Sequence, residues 1–175
     1  GKPNFDARAA YGRINDRFIY PRGVALDPVD HRLFVNDQYN NRVLMFELDA
    51  ENRIADRVVD VVLGQPDAYT GQLREISART LQIPLALAYD IHSKQLFVGD
   101  GWNNRVMVFD AHPDRLRTFD EAVAALGQRD FKSDEPSVGP DRLNFGVSWG
   151  RGIQSAAPTP LALEVDTNHH RLFVS

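Results

Sequence analysis

Apolar residues in this chain come in short runs separated by polar turns, and the runs return in a fixed order. A proline opens each group, followed by a brief apolar stretch: Gly23-Val24-Ala25-Leu26, then Leu85-Ala86-Leu87-Ala88-Tyr89, then Leu161-Ala162-Leu163-Glu164-Val165. Next comes Leu33-Phe34-Val35, repeated at Leu96-Phe97-Val98 and Leu172-Phe173-Val174. Three consecutive apolar residues in so short a run predict a strand covered on both faces. A third run, Arg42 to Phe46 and Arg105 to Phe109, follows an Asp-x-x-Asn-Asn turn, whose side chains can satisfy nearby backbone groups. A fourth is predicted over Val58–Leu63 and, more weakly, Ala122–Leu126. Glu121 and its neighbouring alanines make a short helix from Phe119 to Leu126 the competing expectation there.

These four runs form one unit that repeats every 63 residues. Pro21, Asp27, Asp37, Asn40-Asn41-Arg42-Val43 and Phe46 recur as Pro84, Asp90, Asp100, Asn103-Asn104-Arg105-Val106 and Phe109. Gly64-Gln65-Pro66-Asp67 recurs at the same step as Gly127-Gln128-Arg129-Asp130, and Gly1-Lys2-Pro3-Asn4 precedes it by one step. A fixed period means stacked supersecondary units, none of which buries its apolar face alone. Four short antiparallel strands per unit with no helical crossover predict an all-β chain built of β-propeller blades; an open β solenoid is the rival and usually has shorter repeats. The third copy, at Pro160, Asp166 and Leu172-Phe173-Val174, follows after 76 residues, so 13 more have entered before it. The expected organisation is an incoming linker over 1–20, a blade over 21–63, a linker over 64–83 and a second blade over 84–126. A long inserted loop over 127–159 and the first half of a third blade over 160–175 complete it. Both termini fall inside a unit, and a piece of a longer polypeptide is the expectation, completed by further segments of its parent chain or by further copies.

Charge and composition narrow the chemistry. Net charge is −4 with acids and bases interspersed, which counts against binding nucleic acid through a dense positive face. No apolar run has the length of a membrane span, and no signal segment is visible, which says nothing about export for a chain expected to be a piece of a longer one. Without cysteine there are no disulfides and no Cys-ligated zinc.

Pro-x-Gly-Val-Ala-x-Asp at Pro21–Asp27, Leu-Phe-Val-x-Asp at Leu33–Asp37 and Asn-Asn-Arg-Val-x-x-Phe at Asn40–Phe46 resemble the NHL repeat. The Leu-Gly-Gln-x-Asp-Phe linker is similar to that of a bacterial subgroup. The resemblance covers nearly the whole chain, although Gly23 becomes Ala86 and Ala162 in the later copies. It implies a propeller of about six blades and inclines the location towards the periplasm or exterior of a bacterium.

Asp37 with Arg42, and Asp100 with Arg105, can pair across their turns; because the pair recurs in each complete unit, a structural role is expected. Strand parity puts the insertion on the same face as Tyr39 and Trp102, the aromatic slot of those turns. A long loop carrying Arg142, Phe145, Trp149 and Arg151 beside them is how a rigid scaffold makes a binding surface. Tyr39, Trp102, Arg142, Trp149 and Arg151 are therefore the candidate binding residues, for a protein, peptide or glycan. The five histidines (His31, His92, His112, His169, His170) fall on the opposite face. They suggest, as the alternative, a zinc- or calcium-dependent lyase or hydrolase working in a central channel, since the family includes a zinc-dependent lyase. Their turns lack His-x-x-x-His spacing, so no cofactor is expected. RNA binding, known for some animal members, is a further alternative that the acidic balance disfavours. No nucleophile elbow or phosphate loop is present.

Overall fold

A computed structural model describes residues 18–54, 56, 58–135 and 162–175. Those residues are all-β, with no α-helix among them. The first four strands are β1 (Pro21–Asp27), β2 (Arg32–Asp37), β3 (Arg42–Glu47) and β4 (Val61–Leu63), joined in that order into one antiparallel sheet. A second sheet repeats it with β5 (Pro84–Asp90), β6 (Gln95–Asp100), β7 (Arg105–Asp110) and β8 (Ala124–Leu126). A hairpin of β9 (Leu163–Asp166) and β10 (Arg171–Val174) follows.

The fourth strands are shorter than expected, and the segment before Leu126 is a strand and not a helix. Phe119 has φ 61, which interrupts any helix, and the Val123 N–H bonds to the Val108 carbonyl to extend the sheet. Both first strands carry one extra residue just after their proline, where the ring removes a ladder donor.

Parity explains how the units stack. In β2 and β3, Phe34, Val43 and Met45 point one way, into a core shared with the second sheet, while Val35, Leu44 and Phe46 point the other way. One step on, Leu96, Val98, Met107 and Phe109 enter the shared core, and Phe97, Val106 and Val108 pack towards Leu163, Val165 and Leu172 of the hairpin. The first sheet thus offers its Phe34-type face to the second, which meets it with its Leu96-type face and turns its Phe97-type face to the hairpin. The first strands lie side by side, β1 against β5 and β5 against β9. A Cβ on Gly23 would meet the backbone nitrogen of Leu87 at 3.4 Å, an ordinary contact, so β1 and β5 lie in van der Waals reach of each other. At the outer edge the Phe119 N–H bonds to the Val62 carbonyl at 2.8 Å, and Thr118 Oγ1 accepts from the Val62 N–H, tying the second unit to β4.

Candidate binding cleft

Each turn between second and third strands is built by one buried carboxylate. Asp37 accepts from the Ile19 N–H at 2.7 Å through one oxygen, and from Asn40 Nδ2 and Arg42 Nε, both at 2.8 Å, through the other. Arg42 donates onward to the Ala68 carbonyl at 2.6 Å. Asp100 repeats the arrangement with the Gln82 N–H (2.6 Å), Asn103 Nδ2 (2.8 Å) and Arg105 Nε (2.7 Å). Arg105 donates to the carbonyls of Phe131, Ser77 and Thr80. Complete burial pushes the Asp100 carboxyl up, opposed by Arg105 and by its other donors. Both pairs are buried, at the junction of turn and linker.

The following asparagines finish the frame. Asn41, in the left-handed region at φ 54, accepts from the Ile83 N–H and donates to the Gly71 carbonyl; Asn104, at φ 49, donates to the Asp134 carbonyl. Gln65 and Gln128, from the repeated linker motif, donate to the carbonyls of Asn41 and Asn104. Gly71 lies so close to Asn40 that a Cβ would come within 2.7 Å of its side-chain oxygen. The linker therefore runs tight against the turn.

Above this frame the turn projects its aromatic residue. Tyr39 and Trp102 occupy equivalent places in the 3-10 turns Gln38–Asn40 and Gly101–Asn103, and both line one open cleft of about 900 Å³. Tyr39 is 49% exposed, and Tyr20 meets it edge-on with ring centres 4.9 Å apart. Leu73 and Ile83 supply apolar wall, and no charged side chain is among the described lining. The backbone N–H groups of Tyr39 and Trp102 are engaged by the carbonyls of Ile19 and Gln82. Tyr20 and Ile83, each just before a repeat proline, have φ of 55 and 51, a costly conformation for an isoleucine.

The structure thus brings Tyr39 and Trp102 together. Arg142, Trp149 and Arg151 lie outside the described residues. Tyr20, Leu73 and Ile83 were not picked out by motif reading. Tyr20 and Ile83 were findable, since they share one repeat position one step apart and both precede the proline that opens a unit.

The opposite face holds a different set of groups. Asp27, buried at the end of β1, accepts from Tyr89 Oη at 2.7 Å and Arg32 Nη2 at 2.6 Å. Burial disfavours its charge, but the bonds from Tyr89, Arg32 and the Asp30 N–H, with the guanidinium charge, outweigh that and lower its pKa to about 2. Burial, and donation to Asp27, push the Tyr89 hydroxyl well up. Lys94 pairs with Asp30 at 2.5 Å, and His170 with Asp90 at 3.2 Å. Among the described residues no group of three or more His, Asp or Glu converges as a metal would require.

No model of a known protein family matches the chain, and no curated protein matches it.

Proposed function

We propose that the chain is part of a β-propeller of NHL type and serves as a binding scaffold, recognising a protein, peptide or glycan on the face formed by the turns between second and third strands. The repeated sheets, the side-by-side first strands and the 63-residue step support the propeller reading. Its partners are a ligand on that face and further units of the same kind, from the parent chain or from further copies.

One observation carries the functional reading: aromatic residues one repeat apart, Tyr39 and Trp102, line a single cleft on a frame of buried hydrogen bonds. Rigid aromatic side chains offer large contact area at low entropic cost, and a pre-ordered frame removes most of the ordering penalty of binding. Peptide and glycan arrays probed with the native protein and with Tyr39→Ser test it. Ligands retained by the first and lost by the second are expected. Arrays on which every retained ligand also binds the variant would contradict the assignment.

A further inference from the structure

The two junctions between units differ at one place on the face opposite the aromatic cleft. Where the first sheet meets the second, Asp27 Oδ2 accepts from Arg32 Nη2 at 2.6 Å and from Tyr89 Oη at 2.7 Å. The buried Arg32 guanidinium lies against two rings, its carbon 5.6 Å from the centre of Phe34 and 5.9 Å from that of Tyr89. Where the second sheet meets the hairpin, the equivalent positions hold Asp90, Gln95, Phe97 and Val165. The carboxylate and the first ring are kept, while the guanidinium and the phenol give way to smaller side chains. A cavity of about 310 Å³ lies there, with Asp90, Gln95, Phe97 and Val165 all in its wall.

We infer that this cavity binds the guanidinium group of an arginine ligand, which takes the place that Arg32 fills at the first junction. Asp90 is buried; burial opposes its charge, but the bonds from the His92 N–H, His170 and Ser93 outweigh that and hold its carboxyl below the usual range. It is therefore an anion at neutral pH. Its Oδ2 meets His170 Nδ1 at 3.2 Å, longer than either bond to Asp27 Oδ2. Ser93 and Gln95, also in the wall, carry oxygens that can accept further N–H groups. Phe97 supplies an aromatic ring like the one beside Arg32. A guanidinium is planar, weakly hydrated and able to meet a carboxylate through two parallel bonds, which favours arginine over lysine. Arg171 lines the cavity from the hairpin side. Its charge repels a bare cation and attracts a carboxylate, which favours the free amino acid over an arginine side chain within a peptide.

Isothermal titration calorimetry on the full chain tests this with arginine, its neutral isostere citrulline, lysine, and acetyl-arginine amide, which has no carboxylate. Saturable binding of arginine is expected, with citrulline and lysine at least about tenfold weaker. Weaker binding of the amide would mark the free amino acid as the ligand, and equal binding a peptide side chain; both support the guanidinium site. Gln95→Arg gives the cavity a guanidinium of the chain's own and should abolish arginine binding, with circular dichroism unchanged. Asp90→Asn should weaken it at least about tenfold, and if that variant failed to fold, Gln95→Arg would decide alone. Arginine binding equally well to Gln95→Arg would place it elsewhere. That result, citrulline or lysine binding as tightly as arginine, or no saturable binding of arginine to the native protein would each overturn the inference.

Discussion

Asp27 shows how much a single position contributes when neighbouring units meet on it. Its carboxylate belongs to the first sheet, yet one of its donors, the Tyr89 hydroxyl, comes from the second. A carboxylate whose pKa is lowered on folding stabilises the native state above its unfolded value, near 3.8, and that stability is lost as pH falls towards about 2. Tyr89→Phe removes a donor and raises the Asp27 pKa. The variant should be about 2 kcal/mol less stable at neutral pH and should begin acid unfolding at higher pH, read by circular dichroism against pH. Superimposable acid curves would show that the bond does not matter. Arg105→Ala strands the Asp100 carboxylate in the core and should cost about 3–5 kcal/mol in urea unfolding. Arg105→Lys should rescue little of this, because one ammonium cannot reach the carboxylate and three carbonyls together. The Asp–Arg pairs were legible in the sequence because they recur. The Asp27–Tyr89 bond was not, because position 26, the repeat equivalent of Tyr89, is a leucine, and no pattern within one unit points to a donor supplied by the next.

Among the elements, the repeated linker motif shows why some glycines are replaceable and others not. Gly64 has φ 89, and a Cβ there would meet the Asn41 carbonyl at 2.7 Å. Gly64→Ala should cost at least about 2 kcal/mol, because both backbone conformation and space oppose it. Gly23 has no such constraint, and its equivalents are Ala86 and Ala162. Gly23→Ala should lie within about 0.5 kcal/mol of the native protein in the same urea assay, and a large loss would mean that β1 and β5 pack differently from this account. The first three strands of each complete unit could be read from apolar runs and turn chemistry. The fourth could not be bounded: β4 is also held by bonds from Thr118 and Phe119, which come from the following unit and leave no mark in the pattern of β4 itself. Tyr39 and Trp102 were legible as one aromatic slot, whereas Tyr20 and Leu73 join the cleft only because the linkers fold back beside the turns.

For the whole molecule, the decisive fact is the direction of stacking. Phe34 and Phe97 are buried by the unit that follows each of them, and Phe173, in the same repeat position on the hairpin, is 55% exposed. Leu87 and Tyr89 pack against the preceding sheet, while their equivalents Val24 and Leu26 are exposed on the first. Under the proposed propeller, Phe173 at one end and Val24 and Leu26 at the other are where further units would pack. The proposed propeller closes both by adding units of the same kind around the first strands, which keeps the aromatic cleft on one face of a rigid ring. Small-angle X-ray scattering on the protein as it elutes from a sizing column measures mass and shape together and tests this most directly. The account predicts a particle heavier than the 19.7 kDa chain, compact and with the distance distribution of a short hollow disc. A particle of single-chain mass, or an extended rod that lengthens as units add, would contradict it and point instead to an open stack.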